Sequence, residues 1–248
     1  MRPIALILRL MAAVLSVGIA GAHAGEPVDL ALVLAVDVSR SIDDHEFELQ
    51  RQGYAAALTS PRVLSAIQSG PLNAIAVTFI EWSSDGEQKV VVDWSVLKDG
   101  ETAGAFAQAI LDAPRSFYSR TSISGAIDFA VRDFARCGVE PSRRVIDVSG
   151  DGTNNSGRPV TDARDAAIAA GVTINGLAII NEHPEGVYAQ NHVHPPEGLP
   201  EYYRRNVIGG DGSFLRQVEG FGSFAEAIRQ KLITEIGAVP PPTRQAAR

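Results

Sequence analysis

The run Leu30–Val36 is wholly apolar and ends abruptly in Asp37-Val38-Ser39-Arg40-Ser41, which sets a carboxylate and two hydroxyls at alternate positions. Alternate residues of an extended segment point the same way, so the three oxygens would share one face. A second β-rich run, RRVIDVSGDG (143–152), ends in Ser149-Gly150-Asp151-Gly152, and SRTSISGAI places Thr121 just ahead of a helix. Hard oxygen donors without thiolate or imidazole suit Mg²⁺, Mn²⁺ or Ca²⁺. The carboxylates of Asp37 and Asp151 match a divalent charge. The hydroxyls of Ser39, Ser41 and Thr121 would fill most of a shell and leave one position for an outside acceptor.

These residues converge only if the elements carrying them are ordered correctly. Strand-like and helix-like segments alternate along the chain, which predicts an α/β fold with a parallel sheet covered by helices. The expected strands are 28–36, 72–82, 88–95, 143–152 and 172–179, with a weak edge strand near 213–219. The expected helices are 43–58, with Ser41 or Asp43 near its start, then about 101–112, 122–137, 158–171, a short one near 200–208, and the amphipathic 223–236. The Ser84-Asp85-Gly86 turn between two β-rich runs signals a hairpin, so the third strand should be antiparallel and lie at the sheet edge. In a doubly wound sheet, ligands sit beyond the carboxyl ends of the strands where the connections diverge. That crevice would gather Asp37 and Asp151, with Thr121 reaching in from a neighbouring loop.

The Asp37-x-Ser39-x-Ser41 motif, Thr121 ahead of Ala126-Ile127, and Asp151-Gly152 after a second strand resemble the metal-ion-dependent adhesion site (MIDAS) of von Willebrand factor type A (VWA) domains. The resemblance spans roughly residues 28–237, and RVIDVSGDGTNN and LALVLAVDVSRSID further resemble a bacterial, exported branch of that superfamily with no assigned function. It implies a Rossmann-like, doubly wound, mostly parallel sheet with one antiparallel edge strand and helices on both faces. It also implies direct or water-mediated metal contacts from Asp37, Ser39, Ser41, Thr121 and Asp151, with a partner's acidic residue supplying the last ligand. Arg120, where a glycine is common in the family, and the Ser149-Gly150 step depart from the family pattern without removing a ligand. The implied function is a binding module that recognises an acidic side chain of a protein partner through a divalent cation, Mg²⁺ first, with Mn²⁺ or Ca²⁺ as alternatives.

Plainer readings stand beside these. Asp37 could merely cap the following helix, as Asp commonly does, although that accounts for one or two of the five residues. A metal-dependent hydrolase or phosphotransferase with Asp37 as nucleophile would need a second acid two residues on, or a Lys in the loops; position 39 is Ser and the loops carry no Lys. No nucleophile and base pair stands out, so a non-catalytic role is expected. A scaffold that binds no metal is a third reading. Asp147 interrupts an apolar strand and needs a partner, for which Arg143, Arg144 or a hydroxyl could serve, or else it supports the site from behind. Asn154 and Asn155 could orient the Asp151 turn. His183, His192 and His194 read as surface residues rather than a zinc site. Phe117-Tyr118 and Tyr202-Tyr203 are either exposed contacts or core.

The whole chain sets the frame. Arg2 and Arg9, the apolar stretch after them, and Ala22-His23-Ala24 have the layout of a secretory signal peptide cleaved after Ala24. Residues 25–237 would then form one domain, followed by a disordered Pro-rich tail over 238–248, in a periplasmic or secreted protein with no stable membrane span after cleavage. The formal charge is −7, and cleavage would remove two more positive charges, Arg2 and Arg9. Such an acidic chain argues against a nucleic-acid partner. Cys137 is the single cysteine, which excludes an intrachain disulfide and reads as a small buried apolar residue on a helix.

Overall fold

Strand β2 (Leu30–Asp37) is buried at every position, as a central parallel strand covered on both faces must be. In the computed structural model it lies between β3 (Ile75–Trp82) and β6 (Arg144–Gly150), parallel to both. The described residues are 25–180 and 195–237, so the leader-like segment 1–24, the histidines at 183, 192 and 194, and the tail from 238 lie outside them. The main sheet has six strands in the order β4-β3-β2-β6-β7-β8, completed by β4 (Gln88–Leu97), β7 (Val172–Ile180) and β8 (Leu215–Glu219). β4 is antiparallel to β3 and forms one edge, as the Asp85-Gly86 turn predicts. The other pairs are parallel.

Alternation along β2 divides the core. Leu30, Leu32 and Leu34 face helices α1 (Asp44–Leu58), α2 (Pro61–Gln68), α3 (Gly100–Asp112) and α7 (Phe224–Gly237), packing with Tyr54, Phe79, Phe106 and Leu232. Ala31, Val33 and Ala35 face α4 (Ile123–Asp133), α5 (Val160–Ala169) and α6 (Leu199–Asn206), packing with Ile80, Ile127, Ile146 and Tyr203. The connection from β2 leads to β3 on one side and that from β6 leads to β7 on the other. The point of divergence therefore lies between β2 and β6, where Asp37 and Asp151 emerge.

Several expectations need correction. The first strand is two: β1 (Glu26–Val28) leaves the main sheet to pair with β5 (Val139–Pro141), a strand the sequence did not signal because it is only three residues long and ends in Pro141. Helix α2 was also unforeseen, although Ser60 caps it and Pro61 opens it, the usual start signals. The expected helix 122–137 ends at Asp133 and tightens into a 3₁₀ turn, Phe134–Arg136, so Cys137 follows that turn and is half-buried rather than sitting on a helix.

Asp147 finds none of its expected partners. It points to the α7 side, where Lys231 Nζ lies 2.6 Å from it and also pairs with Glu235. Arg143 instead donates to the Glu235 and Ile236 carbonyls at the end of α7, and Arg144 donates to Ala170 O. Asn175 Nδ2 donates to Glu235 at 3.0 Å and Asn175 Oδ1 accepts from Phe214 N, so the group ties α7 to β6, β7 and the start of β8. One ammonium serves two carboxylates in a fully buried layer, and burial followed by the Glu235 charge pushes Asp147 from its ordinary 3.8 up to about 7.

Removing Lys231 would leave two buried carboxylates together, so Lys231→Ala should lower the unfolding free energy in urea by about 3–5 kcal/mol. Below pH 7 the folded state keeps a proton on Asp147 that the unfolded chain releases down to about 4. Wild type should therefore gain stability relative to Asp147→Asn as the pH falls through that window, read from paired urea titrations at several pH values.

Candidate functional site

The loop after β2 is shaped by its own side chain. Ser39 N donates to Asp37 Oδ1 at 2.7 Å, folding Asp37-Val38-Ser39 into a tight turn, and Ile42 N closes the next turn on Ser39 O. The helix cap belongs to another residue. Asp43 accepts from Glu46 N at 2.8 Å while Glu46 returns a bond to Asp43 N, a complete capping box. Asp37 therefore does not serve as the cap of α1. Ser122 likewise caps α4, accepting from Gly125 N, which leaves Thr121 to another role.

All five sequence-predicted oxygens come together. Ser41 Oγ donates to Asp151 Oδ1 at 2.8 Å, Ser39 and Ser41 hydroxyls meet at 3.1 Å, and Thr121 Oγ1 donates to Ser39 Oγ at 3.4 Å. Asp37, Ser39, Thr121 and Asp151 are buried and Ser41 is half-buried. Parallel register places Val36 beside Ser149 and so carries Asp37 to Gly150, where any Cβ would come within 2.9 Å of Asp37 Oδ2. Glycine at 150 is what permits the two loops to close.

The electrostatics are unbalanced. Burial, and then the like charge of Asp151, push the Asp37 carboxyl well above the usual carboxylate range. Asp37 Oδ2 is buried without a hydrogen-bond partner. A buried carboxylate oxygen in that position costs free energy unless a proton, a hydrogen-bond donor or a cation meets it. Among the described residues no group of three or more His, Cys, Asp or Glu is placed to hold a metal. The present cluster instead combines two carboxylates with hydroxyls, a donor set suited to a small, hard divalent cation. The residues fit such an ion.

Other residues position these, among them several not singled out in the sequence. Arg115 lies in the loop before α4 with its side chain only 4% exposed, and its Nη2 donates to Val38 O, Ser39 O and Ile42 O at 3.0, 3.0 and 2.7 Å. Its guanidinium stacks on Tyr118 at 3.9 Å, with Nε on Phe117 O. Tyr118 is the exposed aromatic of its pair, and its role here is to cover that arginine. The Arg115 loop is in turn fixed by a buried ion pair: Arg51 on α1 binds Glu81 at 2.5 Å, and Glu81 accepts from Ser116 N at 2.9 Å. Ser83 accepts from Ser119 N and donates to Arg120 O, guiding the chain into Thr121. Asn155 Oδ1 accepts from Thr121 N and Asn154 Oδ1 from Ser124 N, so both asparagines bind the Asp151 loop to the Thr121 loop, as expected of residues that orient that turn. An arginine within a loop carries no periodic signal, and only the structure shows that it reaches another loop.

A family profile described as "Protein of unknown function (DUF1194)" matches residues 27–240. The chain belongs to this DUF1194 family. Among curated proteins no match was found. Among solved structures, the DUF1194 chain is similar to a von Willebrand factor type A protein from Catenulispora acidiphila, at 14% identity and a TM-score of 0.58, over 85% of this chain and 43% of that one. Proximal thread matrix protein 1 from the mussel byssus, solved with a zinc-occupied MIDAS motif, aligns at 14% identity and a TM-score of 0.56, over 84% of this chain and 48% of that one. BatB from Bacteroides thetaiotaomicron aligns at 19% identity and a TM-score of 0.50, over 84% of this chain and 98% of that one. The chain thus spans about half the length of the mussel and Catenulispora proteins. These likenesses establish the VWA fold. Among the described residues no helix is long and apolar enough to cross a membrane.

Arg115→Ala should leave three loop carbonyls without their donor and destabilise the protein by about 2–4 kcal/mol in urea unfolding. Arg115→Lys should recover only part of that, because an ammonium cannot reproduce the planar fork.

Proposed function

We propose that this chain is an exported VWA-type binding module that recognises an acidic group of a protein partner through a divalent cation held by Asp37, Ser39, Ser41, Thr121 and Asp151. The observation that carries the reading is the buried, unpartnered Asp37 Oδ2 inside a cluster of two carboxylates and three hydroxyls. Arg115 is the basic group named in the electrostatics of Asp37, and its donors are committed to four loop carbonyls and to the Asp44 carboxylate. The zinc-occupied MIDAS of the mussel protein, on the same fold, supports a cation at the corresponding place.

Within this reading Asp37 and Asp151 supply the charge, and Ser39, Ser41 and Thr121 supply neutral oxygens from two loops. A bound cation would offer a Lewis-acidic position to an outside carboxylate. Asn154, Asn155 and Arg115 keep the loops in register, so little ordering cost would fall on binding. Export is supported by the leader-like residues 1–24, and Mg²⁺ is favoured over Mn²⁺ and Ca²⁺ by the small, compact donor set.

The test is melting with and without cation. Wild type should be stabilised by Mg²⁺ or Mn²⁺, by about 2.7 kcal/mol at a concentration roughly 100 times Kd. Asp151→Ala should lose that gain. Asp37→Asn keeps the acceptor for Ser39 N but removes one of two neighbouring buried charges. It should melt at or above wild type without cation and gain nothing when cation is added. Equal melting of wild type in cation and in chelator contradicts the proposal.

A further inference from the structure

A second buried oxygen without a hydrogen-bond partner lies beside the first. Tyr203, on α6, is fully buried, and its Oη has no partner. A Cβ on Gly150 would stand 2.9 Å from Tyr203 Oη and 2.9 Å from Asp37 Oδ2, so both oxygens border the space that the missing side chain of Gly150 leaves open. The ring reaches that point over a groove cleared of side chains. Gly176 of β7 also lacks a Cβ, which would come within 3.0 Å of Tyr203 Cδ1, and in the sheet Gly176 pairs with Val148, two residues before Gly150. Two glycines on adjacent strands thus let an aromatic ring lie across the sheet and carry its hydroxyl to the end of β6.

Packing alone does not account for that hydroxyl. A phenylalanine would fill the groove equally, whereas a buried hydroxyl without a partner costs free energy. The neighbouring tyrosine already has its use: Tyr202 Oη accepts from Asn154 N at 3.1 Å and so steadies the Asp151 loop. Helix α6 therefore sends both tyrosines toward the same loop cluster, one satisfied and one not.

We infer that Tyr203 is a positioning residue of the cation site, its hydroxyl donating to the Asp37 Oδ2 side of the site when a divalent cation is held there. This rests on the cation reading above and adds to it an oxygen from α6, outside the three loops that carry the MIDAS-like motif. The hydroxyl is a neutral donor, so it steadies the carboxylate without adding charge to a site that already holds two acids.

Titration calorimetry with Mn²⁺ on wild type and Tyr203→Phe, with melting of both in chelator, tests this. The variant lacks one oxygen that makes no hydrogen bond in the metal-free protein, so its melting temperature in chelator should equal or exceed that of wild type. Its Mn²⁺ affinity should fall about tenfold, the loss expected for a hydrogen bond to a charged group. Near-ultraviolet difference spectra on adding Mg²⁺ read the same contact directly: wild type should show a tyrosine band that Tyr203→Phe lacks. Equal Mn²⁺ affinity in the two proteins, or a wild-type spectrum without the band, overturns the role of Tyr203 and leaves the cation reading standing. Absence of Mn²⁺ binding by wild type overturns both.

Discussion

Register brings a carboxylate to a glycine at the centre of this fold. Because β2 runs parallel to β6 with Val36 beside Ser149, Asp37 must emerge against Gly150, and the next residue along is the second acid, Asp151. Two negative groups are thereby confined in a buried notch, with Asp37 Oδ2 left without a hydrogen bond. Sliding the strands by one residue would turn every side chain of β2 to the opposite face. The larger Leu30, Leu32 and Leu34 on one face and the smaller Ala31, Val33 and Ala35 on the other make the two faces unequal and so favour this register, and with it the proximity of the two acids.

The remaining structure can be understood as support for that notch. Arg115 ties together the carbonyls of the Asp37 loop, the Asp43 capping box sets where α1 begins, and Asn154 and Asn155 join the Asp151 loop to the Thr121 loop. Behind the sheet, Lys231 neutralises Asp147 and ties α7 to the strand that ends at Gly150. The two buried acid clusters differ in one decisive respect. Asp147 and Glu235 have an ammonium from their own chain, whereas Asp37 Oδ2 is buried without a hydrogen bond and Asp151 accepts from the Ser41 hydroxyl. The proposed cation site rests on that contrast.

Much of this was legible in the residues. Apolar runs ending in Asp37 and Asp151 identified the two central strands, and the Asp85-Gly86 turn predicted the antiparallel edge. Asp43 was one of two residues expected to open α1, and it is the one that caps it. The part that was not legible involves long side chains crossing between elements. Asp147 announced that it needed a partner, but Lys231 lies 84 residues further along the chain, on a helix whose pattern reports only its apolar stripe. Arg115 escaped for the same reason, and Tyr203 was read only as an exposed contact or core, since periodicity tells which face is buried and not how far a guanidinium or phenol reaches. The short strands β1 and β5 escaped because three residues carry too little alternation to read.

The most direct measurement is a crystal structure of the protein grown with Mn²⁺, with data collected to locate manganese by its anomalous scattering. A single strong peak about 2.1–2.3 Å from oxygens of the Asp37, Thr121 and Asp151 loops is the result expected for an oxygen-ligated divalent ion. An empty notch at saturating Mn²⁺, or manganese bound only elsewhere on the surface, would contradict the account.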